Sequence, residues 1–385
     1  MNTIDKKGWK KVTVGEVCNN LNITTQNPID MGIDRYVGLE HIETGNLHIN
    51  SWGNVAEGTT FTKTFKRGHI LFGKRRAYLK KAAVADFEGL CSGDILVLEA
   101  KEDKINHKLL PFLISSDRFF DYAVQTSAGS LSPRTKFQDL AKFEFLLPPK
   151  DQQTKLAELL WAGDEVVEKY EGIGNRLQTL KKTFISQKII KSNFPQKSLT
   201  DVTIVIRNGI TEKQSPNQSE YKVTRIETIS DGTINLDKVG YVENPSKRFF
   251  DYKLLNGDVL FSHINSVAHI GKVAFFEGDS ELYHGMNLIG IRPDTEMILP
   301  KYLFYILQSE ISKKHFEKIA KQAVNQASLD LGDIGSYYIP YPEIRIQKSL
   351  LKRLSIIELQ IIEVRYMLLQ SSQIQKQLTN QIFSL

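Results

Sequence analysis

Only two cysteines, Cys18 and Cys91, stand in 385 residues, far apart in the chain. That excludes a cysteine zinc cluster and a disulfide framework, and it suits a reducing compartment. No apolar run approaches the ~20 residues of a membrane-spanning helix. Residues 1–13 are polar and lack the apolar stretch of a secretion signal. There is no Gly-x-x-x-x-Gly-Lys phosphate loop and no Gly-x-Gly-x-x-Gly dinucleotide fingerprint. There is also no Asn/Asp-Pro-Pro-aromatic motif, since Pro148-Pro149 follows a leucine. Neither ATP nor S-adenosylmethionine therefore has a visible site. Charge is only mildly one-sided. Fifty Lys and Arg against 44 Asp and Glu leave +6, a weak lean towards a polyanionic partner. The expectation is a soluble, cytoplasmic protein of two or three domains.

Two stretches organise what is present. Residues 151–190 and 344–385 each read as a long helix of about 40 residues, roughly 60 Å at 1.5 Å per residue. In the first, Leu156, Leu159, Gly163, Val166, Tyr170, Ile173, Leu177, Leu180 and Phe184 step by three and four residues. In the second, Leu350, Leu354, Ile357, Ile361, Val364 and Leu368 do the same, extended by Ile374 and Leu378. These are heptad seams, and a seam needs a partner helix to bury it. The economical arrangement packs the two helices on each other.

The rest of the chain is a duplication. Leu39-Glu40-His41-Ile42 matches Ile226-Glu227-Thr228-Ile229, and Gly68-His69-Ile70-Leu71-Phe72 matches Gly257-Asp258-Val259-Leu260-Phe261. Val84-Ala85-Asp86-Phe87-Glu88-Gly89 matches Val273-Ala274-Phe275-Phe276-Glu277-Gly278. Phe137-Gln138-Asp139-Leu140 matches Leu331-Gly332-Asp333-Ile334. Such a period is far too long for a solenoid. The apolar framework is shared, but the segments between are not. Residues 74–81 are strongly basic, whereas residues 265–269 are neutral. Two related modules with different loops suit two different targets.

The ends of the modules carry a family resemblance. In the first they read Gly129-Ser130-Leu131, Phe137-Gln138-Asp139-Leu140 and Leu146-Leu147-Pro148-Pro149-Lys150-Asp151-Gln152-Gln153. In the second they read Ser328-Leu329-Asp330-Leu331-Gly332-Asp333-Ile334, then Ile339-Pro340-Tyr341-Pro342 and Gln347. Over residues 9–385 the chain resembles the specificity subunits of Type I restriction-modification systems. The family's Glu-Gln pair reads Gln152-Gln153 and Ile346-Gln347 here. The resemblance implies an α+β fold of two tandem-duplicated target recognition domains, separated by two long helices that pair as an antiparallel coiled coil. The implied domains are residues 1–149, helix 150–192, residues 193–342 and helix 343–385. It further implies a chain with no catalysis of its own that reads an asymmetric bipartite site in double-stranded DNA. Two methyltransferase (M) subunits and two restriction/translocase (R) subunits would be its partners. S-adenosylmethionine, ATP and Mg would belong to those partners, with no cofactor on this chain.

Candidate DNA-binding residues follow. Lys63, Lys66, Arg67, Lys74, Arg75, Arg76, Lys80 and Lys81 form a basic run without an acid, with Tyr78 inside it. Lysines would sit on phosphates, and Arg75 or Arg76 would fork onto a guanine edge. The plain alternative is a solvated loop. Ser130, Ser132, Arg134 and Lys136 form a second basic, hydroxyl-bearing loop. In the second module, His263, Asn265, Ser266 and His269 could meet base edges. The two histidines alone make no metal site. Lys314, Lys318, Lys321 and Gln322 are read as one helical face, on a helix ending near Asn325-Gln326. Two other function classes compete. Asp86, Glu99 and Lys101 mimic the metal site of a standalone nuclease, although Arg292 and Asp294 replace Glu99 and Lys101 in the second module. The heptads alone would also suit a coiled-coil scaffold with no DNA role.

Overall fold

The computed structural model describes residues 4–215, 217–229, 232–266, 269–323 and 326–384. Both long helices start within two residues of a proline, Pro149 and Pro342, that follows a short strand. The first runs Lys150–Phe184 and continues as a wider π-helical turn, Ile185–Ile190. The second runs Ile344–Ile382. The chain divides into two units, residues 1–172 with 365–385, and residues 173–364. Each unit thus owns one stretch of each long helix.

In the first unit, four antiparallel strands run in the order Cys18–Leu21, Ile95–Ala100, Ile70–Gly73 and Ala82–Val84. The two middle strands are nearly continuous apolar runs because both of their faces are covered. Side chains alternate along a strand. Ile70, Phe72, Leu96 and Leu98 therefore join a core with the helices Leu110–Ser115 and Asp117–Gln125. Leu71, Ile95 and Val97 join a second core with Val37, Ile42 and Phe65. Strand Lys10–Thr13 pairs with Glu144–Leu147 and delivers the chain to the first long helix. Residues 110–125 form two helices and not one. Ser116 separates them, and its hydroxyl accepts from the Phe119 N–H as a new N-cap.

The second unit repeats this order: Thr203–Asn208, Leu288–Pro293, Val259–Ser262 and Val273–Phe275. Gln196–Ser198 pairs with Tyr338–Pro340, as Lys10–Thr13 pairs with Glu144–Leu147. Ser309 caps Glu310–Ile319 as Ser116 caps its helix. Gln153 and Gln347 also correspond. Gln153 is buried, accepts from the Asn106 N–H (2.7 Å) and donates to Pro148 O (2.9 Å). Gln347 accepts from the Leu299 N–H (2.9 Å) and donates to Pro342 O (2.8 Å). Each amide ties the start of a long helix to the loop before the helix pair, satisfying backbone groups that would otherwise be buried unpaired.

One paired position shows how far the duplicates have diverged. His69 lies 3.6 Å from Glu99 in the first unit, while Asp258 lies 2.7 Å from Arg292 in the second. The pair keeps its place and reverses its polarity. His69 Nδ1 and Asp258 Oδ2 also accept the same turn hydrogen bond, from the Lys66 and Leu255 N–H groups.

The long helices pair antiparallel in each unit. In the first, Gln375 Nε2 donates to Leu160 O (2.7 Å), and Ala157, Leu160, Ile382 and Phe383 share one core. Gly163 leaves space for that amide, since a Cβ there would lie 2.1 Å from Gln375 Oε1. In the second unit, Lys181 Nζ meets Glu358 at 2.6 Å and Gly174 faces Val364. Of the expected seams, Leu156, Gly163, Tyr170, Leu177 and Phe184 and all of the second helix's positions but Ile374 face inward, whereas the other row of the first helix does not. Leu159, Val166, Ile173 and Leu180 are 43–52% exposed, and Ile374 is 50% exposed. Leu160, Val167, Gly174 and Lys181, each one residue later, turn inward instead.

Candidate nucleic-acid interface

In the first unit, two loops distant in sequence form one surface. Strand Ile70–Gly73 ends at Lys74, and residues 75–81 turn back sharply. Arg76 and Lys80 adopt left-handed φ values of 54° and 49° on either side of the short turn Ala77–Leu79. The second loop closes on itself through reciprocal backbone bonds between Ala128 and Arg134. Backbone bonds then join the loops. Thr135 N donates to Lys74 O (3.0 Å) and Arg76 N donates to Pro133 O (2.7 Å).

Asp94 sits between the loops. Arg134 grips it with Nε on Oδ1 (2.7 Å) and Nη2 on Oδ2 (3.2 Å). Arg75 Nη1 lies 3.5 Å from the same Oδ2, and its Nη2 donates to Ser132 Oγ (3.1 Å). The hydrogen bonds from Arg134 hold the Asp94 carboxyl below its ordinary value. Ser130, Arg76, Tyr78 and Lys136 are exposed around this centre, as is Leu131.

The basic run of residues 63–81 is not one loop, and three of its members are not surface cations. Lys63 is a buried strand residue whose Nζ donates to Ile95 O (3.0 Å). Burial lowers its pKa. Lys80 pairs with Asp117, and Lys81 Nζ donates to Leu39 O. Lys66 and Arg67 are exposed but precede strand Ile70–Gly73, whereas Lys74 follows it. That strand separates them by about 13 Å at ~3.3 Å per residue.

The second unit builds its surface on the same plan. Leu329 N donates to His263 O (2.9 Å), the counterpart of Thr135 and Lys74. Ile264–Asn265, Gln326–Ser328 and Lys321–Ala323 form a three-stranded sheet. Lys321 and Gln322 therefore lie on a strand and not on the expected helix. That helix ends at Ile319, because the chain turns extended at Ala320; Asn325 lies outside the described residues. Lys314 and Lys318 remain exposed on it. Lys321 pairs with Asp330 at 3.1 Å. His263 is buried, which lowers its pKa, and its Nδ1 has no hydrogen-bond partner among the described residues. Asn265 Oδ1 accepts from the Ser266 N–H (2.8 Å), and Ser266 and His269 are exposed. This surface offers amides, hydroxyls and imidazole where the first offers guanidinium.

Two members of the nuclease-like triplet have other contacts. Lys101 Nζ donates to Gly15 O (2.7 Å), and Glu99 faces His69. No cluster of three or more His, Cys, Asp or Glu able to hold a metal occurs among the described residues. Asp94 and Asp117 were not legible as site residues. Each is a single acid in a turn or at a helix start, and only the fold brings arginine or lysine to it.

Residues 6–179 and 191–368 each match the model of the Type I restriction modification DNA specificity domain. The chain belongs to this family. The putative type I restriction enzyme MjaX specificity subunit of Methanocaldococcus jannaschii is 46% identical over 180 residues, 46% of this chain and 42% of that relative. The EcoDI specificity subunit of Escherichia coli is 28% identical over 149 residues, 37% of this chain and 33% of its own length. These matches thus span less than half of those relatives. Among solved structures, a chain from a study of complex assembly and conformational transition of the type I R-M system aligns with a TM-score of 0.62. It shares 19% identity and covers 99% of this chain and 97% of its own. The type I restriction-modification S subunit from M. genitalium gives 0.58 at 13% identity, covering 100% and 98%. At such identities the likeness is one of fold.

Proposed function

We propose that this chain is the DNA specificity subunit of a type I restriction-modification complex, non-catalytic alone, that selects an asymmetric two-part site in double-stranded DNA. The observation that carries the reading is one scaffold with two surfaces. The bonds joining the loops are kept between Thr135 and Lys74 and between Leu329 and His263, while the displayed chemistry changes from arginine to amide. A pair of unlike readers on one chain selects two unlike half-sites. Phosphate contacts fall to Lys74, Arg76, Lys136, Lys314 and Lys318, and base edges to Arg75, Arg134, Asn265 and Gln322.

The partners are two methyltransferase subunits and two restriction subunits, which bring S-adenosylmethionine, ATP and Mg to a chain that holds no cofactor. The exposed rows Leu159, Val166, Ile173, Leu180 and Ile356, Leu359, Ile362, Tyr366, Leu369 support this. Apolar rows left uncovered on paired helices mark surfaces for other chains. No helix among the described residues is long and apolar enough to cross a membrane, and the cytoplasm is the compartment that fits DNA as target. The test is a modified-base map of the host genome with and without the gene. An asymmetric, two-part methylated motif should vanish on deletion. If the assembled complex binds a random duplex pool with no sequence preference, the chain is a scaffold instead.

A further inference from the structure

Three side chains of the first surface behave as one module. Arg134 has five N–H groups. Nε and one N–H of Nη2 are taken by Asp94, and one N–H of Nη1 reaches Ser132 O at 3.4 Å. One N–H remains on each terminal nitrogen. Together these leave the guanidinium two donors for a ligand, while its side-on fork is fixed on Asp94. Arg75 is anchored on the same carboxylate and on Ser132 Oγ. The Arg134 side chain keeps 47% of its surface exposed.

The second unit shows what the module is for. Strand register places Gly73 opposite Ile95 and Ser262 opposite Leu288. Asn287 therefore stands where Asp94 does. The bridges Arg75–Arg134 and Ile264–Ser328 correspond in the same way. Both arginines and the carboxylate are absent together there, yet the bonds joining the loops persist. The second unit thus builds the same junction without the trio.

We propose that Asp94 is a positioning residue that holds Arg134 and Arg75 in fixed aim at a guanine in the half-site read by the first unit. Without it the arginines keep their charge and lose their direction. They then settle on phosphates, which every sequence offers. A carboxylate beside DNA costs affinity by repulsion, and here it yields discrimination in return. The inference rests on the DNA-specificity reading above.

The test is selection from a randomised duplex pool by the full chain in complex with its methyltransferase partner, comparing wild type with Asp94→Asn and Arg134→Lys. Wild type should select two half-sites, one with an invariant guanine. Asp94→Asn should lower preference for that guanine about tenfold, within the range of one bidentate contact. Binding to unselected DNA should hold or rise, and the other half-site should stay intact, which also reports correct folding. Arg134→Lys keeps the charge but has no fork, so it should lose the same guanine. An unchanged motif in Asp94→Asn, or loss of both half-sites together in Arg134→Lys, overturns the inference alone. A wild-type complex that selects no motif overturns the DNA reading itself.

Discussion

Asp117 gives the sharpest test of how the first unit is held together. Its carboxylate receives Lys80 from the basic loop, Lys376 (3.2 Å) and Asn380 Nδ2 (2.8 Å) from the second long helix. Its own N–H donates to Asn380 Oδ1 (3.0 Å). Burial alone would raise this carboxyl, but hydrogen bonds from Lys80, Asn380 and Lys376 outweigh it and hold the pKa at about 2. Charge-assisted bonds contribute ~1.5–3 kcal/mol when buried and about 0.2–1 when exposed. The site lies between these limits, so Asp117→Ala should cost about 2 kcal/mol. For a unit of this size that lowers the melting point by roughly 4–8 °C. Asp117→Asn loses both ion pairs but can keep Asn380, and should cost about half as much. The assay is tryptophan fluorescence, because Trp9, Trp52 and Trp161 all lie in the first unit. The pH dependence has a definite sign. A depressed carboxyl stabilises above its unfolded pKa, near 4, and that contribution disappears as pH falls towards about 2. The wild-type advantage over Asp117→Asn should therefore shrink between pH 4 and 2. A melting point within 1 °C of wild type in Asp117→Ala, or an advantage undiminished at pH 2, would refute the reasoning.

Gln347→Leu should destabilise the second unit by about 3 kcal/mol, since it leaves the Leu299 N–H and carbonyls buried without partners; hydrogen exchange of the Leu299 amide should accelerate. Leu159→Glu combined with Val166→Glu should change stability by less than ~0.5 kcal/mol, because both are exposed, yet abolish co-purification with the methyltransferase. Retained co-purification would remove this row from the docking surface. His48 is bonded to Asp164 at 2.6 Å, and that bond raises its pKa despite partial burial. A raised histidine stabilises below its ordinary pKa and loses that contribution as pH rises through the folded value. The melting point followed through Trp161, whose ring lies 6.2 Å from His48, should fall as pH rises past the ordinary histidine pKa in wild type and stay flatter in His48→Gln.

The framework was legible because it repeats. Apolar runs at a near-constant offset could only be one fold used twice, and the strand orders agree. The helix seam was half legible, for a specific reason. Leu159-Leu160 and Val166-Val167 are adjacent apolar pairs, so periodicity cannot choose between them. Summed hydrophobicity favours the row Leu159, Val166, Ile173, Leu180 over Leu160, Val167, Gly174, Lys181. The structure buries the less apolar row. An α-helix of 3.6 residues per turn drifts ~20° per heptad against a strict 3.5 repeat, and small Gly174 permits contact with Val364. The more apolar row stays outside, 43–52% exposed, where the partner subunits proposed above would cover it.

The site was legible in its loops and not in its wiring. Sequence reading weighs lysines by number, yet burial and pairing decide which of them face a ligand. Lys63, Lys80 and Lys81 carry the same charge as Lys74, but each ammonium is already bonded to a carbonyl or carboxylate of its own unit. A phosphate would have to replace a partner that costs no association entropy. Arg134, one basic residue in a Gly-Ser loop, is held differently: an acid forty residues earlier in the chain grips one side of its guanidinium, and 47% of the side chain stays exposed. Removing one of those three lysines should therefore loosen the fold more than it weakens DNA binding, whereas removing Arg134 should do the reverse. Measuring unfolding and duplex binding on Lys81→Ala and Arg134→Ala side by side distinguishes the two roles. If Lys81→Ala weakens binding with its melting point unchanged, charge counting was the better guide.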